Sequence, residues 1–293
     1  MKAVVMAGGE GSRLRPLTLN RPKPMVPMVD RPVMGHIVEL LKRHQITDIV
    51  VTVQYMANVI QDHFGDGSAF GVNITYSLED RPLGTAGSVK RAQSLLQEPF
   101  LVISGDAVTD IDLTKVCAHH KATGSIATMT LTRVPNPLEF GVAICDEAGY
   151  VRELVEKPSW GEVFSDTVNT GIYVFDPAIF DLIESDKSVD WAKHVFPRLL
   201  ESPQGIAGCV VDGYWTDVGT IEEYMRATRD YLNGKVNLPR IGRRLSDDVW
   251  VDGDVEIAPD AILHGPLYLG FGAKIKSGAH VIGPTVIRDY SII

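Results

Sequence analysis

Gly8-Gly9-Glu10-Gly11-Ser12-Arg13-Leu14-Arg15-Pro16-Leu17-Thr18 follows directly on the short apolar run 3–7. A triphosphate needs a backbone with no Cβ in the way, so that successive N–H groups can converge on its oxygens. The glycines provide that, and Arg13 and Arg15 add charge. Lys23, in Arg21-Pro22-Lys23-Pro24-Met25, is a further cation, in a loop whose freedom the flanking prolines limit. No Gly-Lys-Ser/Thr follows, so this is not a Walker A loop, and it does not match the GxGxxG dinucleotide fingerprint. Ser104-Gly105-Asp106 closes another apolar run. Ligands of open α/β sheets bind at the carboxyl ends of strands, and a carboxylate there can hold Mg²⁺ against phosphate oxygens. Asp217 lies in Tyr214-Trp215-Thr216-Asp217-Val218-Gly219-Thr220, just ahead of a helical pattern. Either aspartate could instead cap a helix or a turn.

The elements that must position these residues are legible in outline. Residues 3–7 read as a buried parallel strand, continuous and apolar rather than alternating. Helical spacing at 36–44, 57–64 and 87–96 alternates with strands at 48–53, 72–76 and 100–104. That alternation predicts a parallel sheet covered on both faces. After Gly105 the pattern changes to strands at 125–133, 141–145 and 170–175, then helices at 191–200 and 221–232. Glu222 and Glu223 in the first turn of the last helix suit its macrodipole. From about residue 249, Val251, Ile257, Leu263, Leu269, Ile275, Val281 and Ile287 recur at a spacing of six. This hexapeptide period predicts a β-helix with one aliphatic side chain per short strand in a central column. The register runs on to Ile293, so the coil is expected to continue in a longer protein, or else to be capped by another subunit.

Composition narrows the function. With 293 residues, 45% of them hydrophobic, the chain can bury a real core in one large domain or two smaller ones. A net charge of −9 argues against a general nucleic-acid binder, which needs a basic face. Cys117, Cys145 and Cys209 show no ligand or disulfide spacing and read as small buried hydrophobes. His119-His120 reads as a polar helix face, and His264 and His280 as turn or exposed positions. No run is long enough for a signal h-region or a membrane span, so a cytoplasmic protein with no membrane partner is expected.

GGxGxRLxPLT followed at once by RPKPM resembles the sugar-1-phosphate nucleotidylyltransferases that make NDP-sugars. Among them the chain is closest to mannose-1-phosphate guanylyltransferases. The resemblance covers essentially the whole chain. It implies a Rossmann-like mixed α/β sheet over 1–235, followed by a left-handed β-helix over 236–293. It also implies a reaction in which an NTP and a hexose 1-phosphate give an NDP-sugar and pyrophosphate.

By that resemblance, Ala7, Gly8, Gly9, Gly11, Ser12, Arg13 and Lys23 surround the nucleotide, and Gly84 and Thr85 of Leu83-Gly84-Thr85-Ala86-Gly87 line the base pocket. Glu79 stands where thymidylyl members carry Gln. A carboxylate can accept both the N1–H and N2–H₂ donors of guanine, which favours GTP; a solvated loop acid is the plain alternative. Asp217 joins Asp106 as the second Mg²⁺ ligand. Gly141, Glu156, Lys157, Asn169 and Thr170 are expected round the sugar phosphate, Lys157 pairing with its phosphate. Arg13, Lys23, Asp106 and Asp217 form the expected catalytic set. The alternatives are a glucose-1-phosphate uridylyl- or thymidylyltransferase and a catalytically silent sugar-nucleotide sensor. A homo-oligomer through the β-helix or a sheet edge is also expected.

Overall fold

Short runs rich in valine and isoleucine build the centre of the molecule. The computed structural model describes residues 1–156, 158–159, 165–203, 205–240 and 242–293. The chain begins with β1 (Lys2–Met6), the hairpin β2 (Pro27–Met28) and β3 (Arg31–Pro32), α1 (Val33–Arg43), β4 (Asp48–Val53) and α2 (Ala57–Phe64). It continues through β5 (Asn73–Leu78), α3 (Gly84–Arg91), β6 (Phe100–Ser104), β7 (Ala107–Thr109), α4 (Leu113–Thr123) and β8 (Ala127–Arg133). Then come β9 (Gly141–Cys145), β10 (Val151–Glu156), β11 (Thr167–Phe175), α5 (Phe196–Leu200), β12 (Ala207–Val210), β13 (Trp215–Asp217) and α6 (Ile221–Leu232). The short strands that follow are β14 (Arg243–Ser246), β15 (Val249–Val251), β16 (Glu256–Ile257), β17 (Ile262–His264), β18 (Leu267–Leu269), β19 (Lys274–Ile275), β20 (His280–Ile282) and β21 (Thr285–Ile287).

The main sheet runs β10-β9-β11-β6-β1-β4-β5, with β8 beside β11 and β12 beside β8. Its first-made half is parallel, β1 pairing with both β4 and β6, and β4 with β5. The antiparallel β11 turns it into a mixed sheet. Alternation along β1 explains its unbroken apolar character. Ala3 and Val5 enter one core with α1 and α6, while Val4 enters the other with Phe100 and Trp191. A strand covered on both faces has no polar side to show.

Several local expectations need correction. α1 begins at Val33 rather than 36, because Val33, Met34 and Gly35 are as buried as the residues that follow and give no periodic contrast. The single helix expected over 191–200 is a π-helical turn, Trp191–Val195, leading into α5. His120 is buried and hydrogen-bonds Thr128 at 2.9 Å, so 119–120 is not simply a polar face. Cys209 is buried, but Cys117 and Cys145 are only half-buried; all three are free. His264 and His280 lie on β17 and β20 and are exposed.

Beyond residue 249, strands pair in parallel with strands eighteen residues on, as Leu267 faces Val249, Ile275 faces Ile257 and Val281 faces Leu263. The seven residues of the hexapeptide column share one apolar cluster. This stacking is consistent with a β-helix. Tyr268, Trp250 and Val286 face the other way and pack against the first core of the sheet. Among the described residues no helix is long and apolar enough to cross a membrane.

Candidate active site

The glycine loop leaves the carboxyl end of β1 and is pinned at each side. Ala7 N–H donates to Thr52 O at 2.9 Å, and Lys23 N–H to Gly9 O at 3.3 Å. Among the described residues, the N–H groups of Gly8, Gly9, Glu10 and Gly11 donate to no acceptor within the chain. Four successive unspent donors form the kind of concavity that binds anions. Gly11 is needed for another reason: at φ +75° an added Cβ would stand 2.7 Å from Lys23 Cβ. Ser12 and Arg13 begin a short 3₁₀ turn. Arg13 lines the larger of the two cavities described below. Arg15 pairs with Glu10 of the same loop, at 2.6 Å on the exposed surface.

The two aspartates meet because of a small antiparallel ladder. β13 pairs with β7, setting Asp217 opposite Ala107, and Val218 N–H donates to Asp106 O at 3.1 Å. The ammonium of Lys23 sits between both carboxylates, 2.5 Å from Asp106 and 3.1 Å from Asp217. The three side chains are 11%, 21% and 39% exposed respectively. Burial opposes the charge on Lys23, but Asp106 and Asp217 outweigh it and raise its pKa. Burial and the neighbouring Asp106 lift Asp217 to about 6, with Lys23 pulling the other way. Ser104 Oγ also donates to Asp106. Lys23, expected beside the nucleotide, has its ammonium between the two carboxylates in this structure.

Neither aspartate caps a helix. Thr220 caps α6, its Oγ1 accepting from Glu223 N–H at 3.2 Å, while Glu223 accepts from Gly219 N–H and from the Thr220 hydroxyl. This is a variant of the capping box, with Glu223 reaching back to the N–H of Gly219 and the Thr220 hydroxyl instead of the N–H of the cap residue itself. Thr220→Ala is expected to cost about 1 kcal/mol and lower Tm by about 2–4 °C, read by thermal unfolding. An unchanged Tm would mean that the helix start is held by something else. Hard carboxylate oxygens suit a cation such as Mg²⁺. Among the described residues no group of three or more His, Cys, Asp or Glu is placed to hold a metal, so phosphate oxygens and water would complete the shell of one held by this pair.

Two cavities meet at Asp106. The smaller, about 320 Å³, is lined by Gly8, Gly9, Gln54, Glu79, Gly84 and Thr85 among others. Glu79 Oε2 accepts from Leu83 N–H at 3.1 Å, and its Oε1 lies 3.9 Å from where a Cβ on Gly8 would be. Burial raises the Glu79 pKa, opposed by the Leu83 N–H and by Arg91. Gly84, at φ +72°, lets α3 press on the 189 segment, where an added Cβ would stand 2.6 Å from Val189 O.

The larger cavity, about 410 Å³, is lined by Arg13, Gly141, Glu156, Asn169 and Thr170, and by both aspartates. Glu156 is paired with Gly141 across β10 and β9. Asn169 is set by a bulge in β11, donating to Tyr173 Oη at 2.9 Å and accepting from Gly171 N–H at 3.0 Å. Thr170 offers only its backbone, since its buried hydroxyl donates to Thr130 O at 2.8 Å. Lys157 lies outside the described residues.

The sequence reading missed Asp190 and Trp215. Asp190 lines both cavities, caps the 191–200 helical segment and accepts from the Thr85 hydroxyl at 2.9 Å. An aspartate directly before a helical pattern was the available signal. Trp215 donates to Thr170 O at 2.8 Å and stacks edge-on to Phe140 at 5.1 Å. The larger cavity is strongly acidic, carrying Glu139, Glu156, Asp190 and Glu223 besides the two aspartates. A phosphorylated ligand there needs added cations.

The sequence pattern of the nucleotidyl transferase family matches residues 2–234. The chain is 36% identical to a UTP–glucose-1-phosphate uridylyltransferase of Synechocystis sp., covering 100% of this chain and 80% of the relative. It is 34% identical to a mannose-1-phosphate guanylyltransferase of Mycobacterium tuberculosis, covering 97% and 79%. A solved structure described as a glucose-1-phosphate thymidylyltransferase from Bacillus anthracis, in complex with sucrose, superposes with a TM-score of 0.70. It is 29% identical and covers 82% of this chain and 98% of that one.

Proposed function

Because the chain belongs to the nucleotidyl transferase family and is a sugar-1-phosphate nucleotidyltransferase, we propose that it makes GDP-mannose from GTP and mannose 1-phosphate, with Mg²⁺ held by Asp106 and Asp217. The observation that carries the reaction is the convergence of Lys23, Asp106 and Asp217 where two cavities join. One cavity has room for a base and ribose beside the glycine loop, and the other for a hexose.

In this reading an oxygen of the sugar phosphate attacks the α-phosphorus of the triphosphate. The new P–O bond forms as the bond to the β-phosphate bridging oxygen breaks, and pyrophosphate leaves with the electron pair. The attacking oxygen is already anionic near neutral pH, so no general base is required. The difficulty is repulsion between anions and charge gathering on the leaving group, which makes positioning and electrostatics the main contributors. The N–H groups of the glycine loop, the Ser12 segment and Arg13 receive the leaving phosphates. Lys23 steadies the α-phosphate, moving from carboxylates to substrate. Lys157 aims the sugar phosphate, while Glu156, Asn169 and the Gly141 and Thr170 backbones hold the hexose. Asp106 and Asp217 would hold a bound Mg²⁺, which would supply charge neutralisation for the phosphates.

The base assignment rests on Glu79, whose Oε1 faces Gly8 while Oε2 is taken by Leu83. The test is pyrophosphate release from four NTPs, each with mannose and glucose 1-phosphates. Wild-type protein is expected to prefer GTP with mannose 1-phosphate. Glu79→Gln is expected to cut that preference over UTP by about tenfold to a hundredfold, the worth of one charged hydrogen bond. The uridylyl relative favours a second reading, UTP with glucose 1-phosphate. A wild-type preference for that pair would overturn the base assignment and leave the reaction class standing.

We place the chemistry in 1–235 and read 236–293 as a left-handed β-helix. The chain is expected to form a homo-oligomer through that β-helix or a sheet edge, which light scattering on the purified chain tests; a monomer at working concentrations would overturn this. Phosphorylated substrates favour the cytoplasm as the place of action.

A further inference from the structure

The β2–β3 hairpin turns through Val29 and Asp30, since Met28 faces Arg31. Val29 is buried and has φ +58°. For a β-branched residue that backbone costs about 1–3 kcal/mol, and it persists only where the surroundings impose it. Here three elements impose it on three consecutive carbonyls. The Tyr224 hydroxyl, from α6, donates to Pro27 O at 2.9 Å. His36 Nε2, from α1, donates to Met28 O at 3.1 Å. Arg288, directly after β21, donates through Nη1 to Val29 O. Burial lowers the His36 pKa to about 4 despite nearby Asp30, so the ring stays neutral and keeps the hydrogen that Met28 accepts. Tyr231 Oη donates to the Asp30 carboxylate at 3.3 Å, closing the underside of the turn.

The same hairpin continues the loop of Lys23. Only Pro24, Met25 and Val26 separate Lys23 from Pro27. Val26 N–H donates to Lys23 O at 3.1 Å, and Val33 N–H to Val26 O at 3.0 Å. Prolines at 22, 24, 27 and 32 stiffen the segment. A displacement of the Val29 turn therefore has little slack in which to die out before it reaches Lys23. Of the three grips, two come from helices of the main sheet and one from the hexapeptide-repeat region, where Tyr268, Trp250 and Val286 already pack on the same core.

We infer that Arg288 is a positioning residue for Lys23, through which the repeat region braces the catalytic loop. The inference rests on the reading of Lys23 in nucleotidyl transfer given above. It predicts a split that loss of stability alone does not produce. In the full chain, Arg288→Ala is expected to lower kcat about five- to tenfold, with KM for both substrates within about twofold of wild type, since small misplacements of a catalytic group cost rate. Amide hydrogen exchange at Met25, Val26 and Val33 should rise, with exchange in α6 and in 249–287 unchanged. Arg288→Lys should recover part of the rate by restoring a donor. A variant with a lowered Tm but wild-type kcat and wild-type exchange at 25–33 would overturn the inference, as would a uniform rise in exchange across the repeat region. Full turnover in Lys23→Met would sink the underlying reading instead, whatever Arg288→Ala shows in exchange.

Discussion

Asp106→Asn is expected to lose turnover by about a hundredfold to a thousandfold, the usual cost of removing one preorganised electrostatic group, while nucleotide affinity changes little. The substitution keeps shape and removes one negative charge. Lys23 now bridges two carboxylates; with Asn at 106 it still has Asp217, so no buried charge is stranded and the fold should hold. On the reading proposed above, half of the anionic grip on a bound Mg²⁺ would be lost just as charge shifts toward pyrophosphate. The measurement is pyrophosphate release with Mg²⁺, beside nucleotide binding by calorimetry and a melting curve. Near-normal turnover would remove the metal assignment. Lost affinity equal to lost turnover would instead place Asp106 in ground-state binding.

Lys23→Met should be at least as damaging, and in two ways. Turnover is expected to fall by about a hundredfold to a thousandfold, because the ammonium lodged between Asp106 and Asp217 is gone. The variant should also be less stable without metal, since two neighbouring carboxylates are left facing each other. For a sealed site the penalty runs to several kcal/mol; Asp217 is 39% exposed, which reduces it to about 1–2 kcal/mol. Added Mg²⁺ should return most of that loss in a melting curve. A variant that is fully active, or that melts as wild type in the absence of metal, would contradict the arrangement.

The parts of the molecule governed by local pattern were readable from sequence. β4, α2, β6, β9 and α6 lie where periodicity placed them, because each has either a clean apolar run or a clear amphipathic face. The repeat column was equally legible, since a fixed spacing of aliphatics survives any local noise. The short strands β7 and β13 were not, because three residues carry no period, yet their ladder unites Asp106 and Asp217. Nor could pattern foresee Val29: a left-handed valine in a two-residue turn contradicts local preference and is imposed from outside. Of the charged residues in the quoted motifs, Arg13, Asp106, Glu156 and Asp217 line the larger cavity and Glu79 the smaller, and Lys23 reaches both aspartates, while Arg15 pairs with Glu10 at the surface and Lys157 lies outside the described residues. Their partners were not foreseen, because the bond from Thr85 to Asp190 joins residues 105 apart and leaves no trace in either segment.

Lys23 emerges from the ribosome 194 residues ahead of Asp217. At about 5–20 residues per second, the lysine and its glycine loop wait roughly 10–40 seconds for their second carboxylate. A nascent chain cut short anywhere in that interval owns an anion cradle and cannot form β13 against β7. The carboxylate pair around Lys23 is therefore complete only once residue 217 has been made, and a product truncated before it lacks half of that pair.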